Sequence, residues 1–370
     1  MIGVPVRGRI LLGAVLALSG CSGTDVSAPT ATGGVREITV APALARAQAI
    51  ARIADDVILP GYRDLDATTA ALRTALASNC AAGTDVSRTA AQEGYRAARR
   101  AWSRTSAFRF GAVMDLEAEP AIAFAIDGDK VDKLVDRTGS ADPITAASLT
   151  KLGADVRGLG GIEHVLFAEP SRFDRARACA YLGAAAELVA TKSAAVLRAW
   201  TDGLDAKPSF RDQMNAPGAD RMWATEQEVV ADLVNGTIHA LNVAADQQLG
   251  KASGEISGSP EPTDVDAGPA RSALDDIAAT VRSAQQLVDV GLGALVNDQS
   301  PATTSKLNRQ LADSLTAIDA IPPPLHDVAG PTLEPVRLAY QQVRAARITM
   351  RTEVASQLGV ALSFSADGDG

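Results

Sequence analysis

Aromatic side chains are scarce in this chain of 370 residues, where phenylalanine, tryptophan and tyrosine together make up 4%. Runs of alternating polar and apolar residues that are long enough to build a β-sheet are also missing. Alanine is abundant instead, and such a composition favours helices over strands. We therefore expect an all-α fold. The hydrophobic fraction of 46% is enough for one large core or for two domains.

Histidine and cysteine are equally rare, with three of each, and their spacing forms no metal-binding or catalytic motif. The patterns CxxC, HExxH and GxSxG and the phosphate-binding P-loop pattern do not occur in the sequence. The sequence therefore offers no catalytic set, and we do not expect an enzyme. The formal net charge of -9 gives no electrostatic basis for binding nucleic acid.

Residues 1–20 have the features of a leader that is removed from the mature protein. Arg7 and Arg9 precede the apolar stretch Ile10–Leu18, which is too short to span a bilayer and is typical of a secretory signal. The leader ends in "LSGC", which resembles the lipobox of bacterial lipoproteins. We predict export, lipid attachment at Cys21 and anchoring to a bacterial membrane, the outer membrane being expected, with the protein facing the periplasm. The alternative is an ordinary signal with an accidental cysteine.

Residues 21–41 are mostly small and polar, with several glycines and prolines, and we interpret them as a flexible tether. About twenty such residues have an r.m.s. reach of roughly 25 Å. With Cys21 used by the lipid, Cys80 and Cys179 remain. Because an exported chain meets an oxidising compartment, these two cysteines are candidates for a disulfide. The alternative is a pair of separate buried thiols.

Beyond the tether, apolar residues recur at helical spacing almost to the end of the chain. We predict two helical bundles, 42–205 and 206–370, divided near residue 205 because the two parts are then similar in length. The stretch 253–269 is a loop by composition, and we interpret it as an insertion in the second bundle. That loop is the alternative place for the domain boundary.

An acidic residue interrupts one of the predicted apolar stripes. On a continuous helix over 149–167, the stripe consists of residues three or four positions apart: Leu149, Leu152, Val156, Leu159, Glu163 and Leu166. An ionised carboxylate at such a position is costly to bury unless an arginine, a metal ion or a donor-rich cleft pairs with it. Glu163 is therefore the residue on which a binding site would be centred.

Three glycines lie directly before this acid, at positions 158, 160 and 161. Without side chains, Gly158, Gly160 and Gly161 would leave a shallow notch that a ligand or another backbone can approach closely. The alternative is tight helix packing, with Glu163 held by a core arginine. His164 follows Glu163, but neighbouring helical residues point about 100° apart. We therefore place His164 at the surface or behind the site, and it is the weaker metal candidate of the two.

Three segments of this sequence resemble the imelysin family of exported bacterial proteins. They are "YRAARRAWSRTSAFRFG" (95–111), "GLGGIEHVLF" (158–167) and "QLGVALSFSADGDG" (357–370). The second segment is similar to the family hallmark GxHxxE, whose glycine and glutamate positions are Gly158 and Glu163 here. The histidine position of the hallmark is Gly160. A single carboxylate is a poor zinc site, because zinc usually takes several protein ligands.

The resemblance implies two helical-bundle domains with the hallmark in a cleft near their interface. It also implies a link to iron acquisition and carries a peptidase label, which the missing histidine puts in doubt. Arg109, within the first of the three segments, is our candidate partner for Glu163. An arginine beside a buried carboxylate would lower its pKa and keep it charged.

These observations lead to one expected function and two alternatives. The first is a lipid-anchored periplasmic binding protein linked to iron or metal acquisition, with a cleft lined by Gly158, Gly160, Gly161, Glu163 and Arg109. Its ligand would be iron, another divalent metal or a metal complex, or a protein of an iron-uptake system. The second is a partner-docking lipoprotein with a vestigial site. A metallopeptidase is the third and least favoured reading.

Overall fold

A computed structural model describes residues 43–136, 142–265, 267–328 and 330–362 of the chain. Helices are the regular elements of these residues, apart from an isolated bridge between Leu204 and Lys207. The prediction of an all-α fold is confirmed. The α-helices are α1 (Ala43–Ile53), α2 (Leu59–Ala82), α3 (Asp85–Ser103), α4 (Ala112–Asp115), α5 (Glu119–Ile122), α6 (Gly128–Val135), α7 (Ala146–Thr150), α8 (Gly158–Leu166), α9 (Arg175–Thr201), α10 (Phe210–Asn215), α11 (Glu226–Asn242), α12 (Lys251–Ser253), α13 (Ala273–Leu287), α14 (Gly293–Asn297), α15 (Pro301–Asp319), α16 (Leu333–Thr349) and α17 (Ala355–Gln357).

Segments of π-helix join several of these α-helices end to end. They are Ala54–Ile58, Val243–Gly250, Val288–Leu292 and Met350–Val354. The first lies between α1 and α2 and ends two residues before Pro60, which lies in the first turn of α2. Short 3-10 turns complete the described elements: Ser106–Phe108, Ala154–Val156, Pro262–Asp264, Leu325–Asp327 and Gly330–Thr332.

The first helices are ended and started by local signals in the sequence. Gly83 closes α2 in a left-handed conformation (φ +63°), and Thr84 caps α3 by accepting a hydrogen bond from the backbone N–H of Ser87. Helix α3 then packs between α2 and α13, with Tyr95 and Trp102 buried.

The predicted helix over 149–167 is wrong, because the chain is broken there into three short elements. These are α7, the 3-10 turn Ala154–Val156 and α8. Gly158 has φ +78°, a conformation that would strain any other residue and that separates α8 from the turn before it. As a result Leu152 leaves the predicted stripe and is 41% exposed, whereas Glu163 remains on the buried face of α8.

Helix α9 lies in the core, packed against α2 and α8. Within the described residues it is the helix that is long and apolar enough to cross a membrane, but over half of its most apolar stretch is buried by the rest of the protein. Its buried side chains include Tyr181, Val189 and Trp200, and Trp200 stacks on Tyr62 of α2. These contacts are those of a core helix.

The described residues belong to one compact unit, Ile38–Gly370. Contacts of α3 with α13, and of the turn Ser106–Phe108 with α11, join the two parts of the chain that we assigned to separate bundles. A division near residue 205, with a cleft between two domains, stays a prediction. The signal peptide, Cys21, the tether and the last eight residues of the C-terminal motif lie outside the described residues.

A disulfide joins Cys80, near the end of α2, to Cys179, near the start of α9, with the two Cα atoms 5.6 Å apart. The two cysteines are 99 positions apart in the sequence, and the loop that they close contains α3 to α8. Closing a loop of this length removes many conformations from the unfolded chain.

We predict that the double variant Cys80→Ser/Cys179→Ser unfolds more easily than the native protein. The expected loss is about 2–5 kcal/mol in the free energy of unfolding, because the unfolded chain regains the freedom of the long loop. Urea unfolding without reductant measures the loss. Reductant should destabilise the native protein by a similar amount and leave the variant unchanged. Equal midpoints for the two proteins without reductant would show that the disulfide contributes nothing.

Candidate functional site

The carboxylate of Glu163 is buried between α8, α3 and the segment that precedes α13. Glu163 is 6% exposed. The Tyr95 hydroxyl donates a hydrogen bond to Oε2 at 3.1 Å, and the backbone N–H of Ala270 donates to Oε1 at 2.8 Å. Both carboxylate oxygens therefore have a donor, which is the condition for keeping an ionised acid inside a protein.

An arginine and a second acid accompany this carboxylate. Arg99 lies one helical turn after Tyr95 on α3, and its Nε is 3.4 Å from Oδ2 of Asp276 on α13. Asp276 is 2% exposed and Arg99 is 8% exposed. We refer to Tyr95, Arg99, Glu163 and Asp276 as the Glu163 cluster.

The electrostatics of the cluster keep Tyr95 protonated. Burial raises the pKa of the Tyr95 hydroxyl well above its usual value, and the negative charges of Glu163 and Asp276 raise it further, while Arg99 opposes them. At neutral pH Tyr95 is therefore a hydrogen-bond donor to Glu163 and not a base.

Ala270 is held at the cluster by both sides of its peptide backbone. While its N–H donates to Glu163, its carbonyl oxygen accepts a hydrogen bond of 2.9 Å from Nε of Arg96. Arg96 also lies over the ring of Phe167, with its Cζ 5.2 Å from the ring centroid, and Phe167 packs edge-on against Tyr95. Helix α3 thus holds two groups in place. Arg96 bonds to the segment before α13, and Tyr95 bonds to the Glu163 carboxylate.

The predicted glycine notch is wrong, because neighbouring groups fill it. A Cβ at position 158 would lie 2.8 Å from the carbonyl oxygen of Ile122, and one at position 160 would lie 2.8 Å from Cγ2 of Ile126. At position 161 a Cβ would overlap the hydroxyl of Tyr181, which donates to the carbonyl oxygen of Val156. Gly158, Gly160 and Gly161 permit close packing of α8, which was the alternative interpretation.

Arg109 does not take the role that we gave it. Its Nη1 pairs with Oε1 of Glu119 at 3.2 Å, its Nη2 donates to the carbonyl oxygen of Trp102, and its guanidinium lies 3.8 Å from the centroid of the Trp102 indole. Burial lowers the pKa of Arg109 to about 10, so it is still charged at neutral pH. The arginine in the Glu163 cluster is Arg99 instead.

His164 points away from the cluster, as the turn of the helix requires. Its Nε2 is 2.7 Å from Oδ1 of Asp132, and the other oxygen of that carboxylate accepts from Arg172. Across the parts of the chain that the structure describes, no three or more histidine, cysteine, aspartate and glutamate side chains come together as a metal site. The described residues therefore do not fit a resident metal ion held by several of their own side chains, at Glu163 or at His164.

Sequence reasoning missed Arg99 and Asp276 but could have found the first of them. Tyr95, Arg99 and Trp102 are spaced by four and three residues, so a helix that buries Tyr95 and Trp102 also turns Arg99 inward. Asp276 carried no such signal, because its face of α13 continues with Thr280 and Ser283, polar residues that are buried against the turn after α3.

Comparison with known proteins identifies relatives of the whole fold. The family model described as Peptidase M75, Imelysin matches residues 58–356. Iron-regulated protein A of Synechococcus elongatus is 26% identical over 330 residues, which cover 85% of this chain and 84% of that protein.

Two crystal structures have a similar fold. An iron-regulated protein A precursor from Parabacteroides distasonis has a TM-score of 0.70 at 19% identity, covering 85% of this chain and 95% of that chain. An imelysin-like protein from Psychrobacter arcticus has a TM-score of 0.72 at 17% identity, covering 87% of this chain and 98% of that chain.

We predict that Glu163→Leu destabilises the protein, although leucine would suit the apolar face of α8. The substitution leaves the Tyr95 hydroxyl and the Ala270 N–H buried without their acceptor. The expected loss is about 3 kcal/mol in the free energy of unfolding. Urea unfolding measures it, and Glu163→Gln, which keeps an acceptor oxygen, should lose less. A gain in stability for the leucine variant would mean that the acid is a misfit in an otherwise apolar packing.

We predict opposite effects for two glycine-to-alanine substitutions in neighbouring helices. Gly161→Ala should lose about 1–3 kcal/mol, because the new methyl group overlaps the Tyr181 hydroxyl. Gly183→Ala should gain up to about 1 kcal/mol, because no atom lies within 4 Å of the added Cβ and alanine favours the helix. Thermal unfolding of both variants tests the pair. Similar stability for the two would show that the space beside Gly161 is not filled.

Proposed function

The chain belongs to the imelysin family, and from that membership we propose that it is a lipid-anchored, periplasm-facing protein that binds an iron-bearing ligand. Two relatives support the link to iron by their names, and one of them is described as a precursor, which supports export. The basic and apolar leader and the "LSGC" ending at Cys21 support lipid attachment. The anchor would hold the folded part close to a membrane surface.

The observation that carries the proposal is the Glu163 cluster itself. Four ionisable side chains lie together inside the protein, each at most 8% exposed. Burying charged groups costs free energy, and an apolar replacement of the same volume often makes a protein more stable. Groups arranged in this way, with one strongly shifted pKa among them, are frequent at functional sites.

The residues of the cluster favour an iron complex over a bare ion as the ligand. Both oxygens of Glu163 already accept hydrogen bonds, and the histidine of the family hallmark is Gly160 in this chain. Iron that arrives in a complex brings its own ligands, so the protein has to recognise only the outer surface of that complex. A cluster with a hydroxyl donor, a guanidinium and two carboxylates offers donors and acceptors for this purpose.

A second candidate function is partner docking without a ligand at the cluster. The filled glycine positions favour it, because Ile126 and Tyr181 occupy the space in which the hallmark segment would otherwise accept a ligand. In this case the Glu163 cluster would only hold the fold together. A metallopeptidase remains the least favoured reading, because it needs an activated water and a general base. Glu163, the acid of the hallmark, already has a donor on each oxygen.

The test is a calorimetric titration of ferric citrate into the full protein, purified in detergent. We expect saturable binding of about one complex per chain, weakened at least tenfold in Glu163→Gln. The matched control is Glu187→Gln, which changes an exposed acid on α9 and should bind as the native protein does. Citrate alone is titrated to show that iron is needed, and circular dichroism confirms that each variant is folded.

The outcomes separate the three functions. Absence of binding, or equal binding by Glu163→Gln, would remove the ligand proposal. If a partner also copurifies stoichiometrically with both proteins, docking is the function. Reproducible cleavage of peptides that a chelator abolishes would instead establish the enzyme.

A further inference from the structure

A short segment of backbone lies directly on the Glu163 cluster. We refer to residues 267–272, which lead from the loop after α12 into α13, as the strap. Ala270 is fully buried, and Ala267 and Ser272 are each 3% exposed. The strap closes on itself, since the N–H of Arg271 donates to Gly268 and the N–H of Ser272 donates to Ala267. These two bonds hold the strap in a compact turn.

The strap occupies hydrogen-bonding positions that a ligand of the cluster would need. The N–H of Ala270 uses one oxygen of Glu163, and the carbonyl oxygen of Ala270 uses Nε of Arg96. A ligand that binds to Glu163 through this oxygen has to displace the strap. The same displacement frees Arg96, whose guanidinium could then meet an anionic part of the ligand.

The burial of the cluster makes some movement of the backbone necessary. Tyr95, Arg99, Glu163 and Asp276 are at most 8% exposed, so a ligand reaches them only after a neighbouring segment has moved. Among the described residues, the long helix α3, the packed helix α8 and the interior of α13 also enclose the cluster. The strap is a non-helical segment that bonds directly to Glu163.

The ends of the strap carry backbone strain. Ala267 has φ +60° and Arg271 has φ +56°, in the left-handed region that residues with a Cβ rarely adopt. Strain of this kind persists only where the surroundings enforce it, and it is frequent in segments that switch. Here the enforcing contacts are the two hydrogen bonds of Ala270, together with an exposed pair between Arg271 and Asp327.

We propose that the strap is a gate, which opens by breaking the bonds of Ala270 to Glu163 and Arg96 and so exposes the Glu163 cluster to its ligand. The inference rests on the proposed function, because a gate has a purpose only if the cluster binds something. In the closed state Ala270 protects the cluster from water. Opening relieves the left-handed conformations at both ends, which offsets part of the loss of the two hydrogen bonds.

Amide hydrogen exchange of the full protein in detergent, followed by mass spectrometry without ligand, tests the gate. The readout is the ratio of the exchange rate of the strap amides to that of the α13 interior, residues 277–287. We expect the strap to exchange at least tenfold faster. Arg96→Ala, which removes one bond of Ala270, and Glu163→Gln, which weakens the other by replacing a charged acceptor with a neutral one, should each raise the ratio at least threefold. Ala267→Gly should lower it, because glycine removes strain from the closed state.

The control is Arg100→Gln, which changes an exposed arginine on α3 that pairs with Asp275 and should leave the ratio unchanged. The gate is disproved if the strap exchanges no faster than α13, or if neither Glu163→Gln nor Arg96→Ala changes the ratio. Because no ligand is present, a strap that opens in a protein that fails to bind ferric citrate would remove only the ligand proposal. A closed strap in a protein that binds would remove only the gate.

Discussion

The hydrogen bond between the Glu163 carboxylate and the Ala270 backbone joins residues 107 positions apart and holds the segment before α13 against α8. It would be weak evidence for stability alone, because the desolvation of the acid costs about as much as the bond returns. The bond matters because of the elements that meet at it. Tyr95 on α3 donates to Glu163 on α8, and Ala270, just before α13, is bonded to both helices. The paired charges of Arg99 and Asp276 lie behind it.

Much of the fold could be predicted from the sequence, because helical periodicity and the signals that start and end helices depend on residues close together in the chain. The long helices follow from such signals, and the oxidising compartment of an exported chain made the two cysteines a candidate pair. The continuous helix through Gly158 could not be ruled out in this way. Whether a glycine continues a helix or turns with positive φ depends on the backbone of residues 121–122, which presses against it.

The burial of Glu163 could be predicted, but its partners could not. An acid on an apolar stripe must be satisfied, and the sequence shows that much without showing by what. Arg109 was a reasonable partner by motif, yet Trp102 and Glu119 hold it elsewhere. The donors that satisfy Glu163 include a backbone N–H, and every residue except proline has one. No residue type could have pointed to Ala270.

The glycine at the hallmark histidine position, Gly160, is closely packed by its neighbours. A Cβ at position 160 would press on Ile126 and lie 3.3 Å from the carbonyl oxygen of Phe124, so a histidine there requires both neighbours to move.

The loop that the disulfide closes contains part of the Glu163 cluster but not all of it. Tyr95, Arg99 and Glu163 lie within the covalently closed loop between Cys80 and Cys179, whereas Ala270 and Asp276 lie outside it. When the protein unfolds, the three residues inside the loop remain in a chain whose ends are linked, so fewer conformations are open to them than to Ala270 and Asp276.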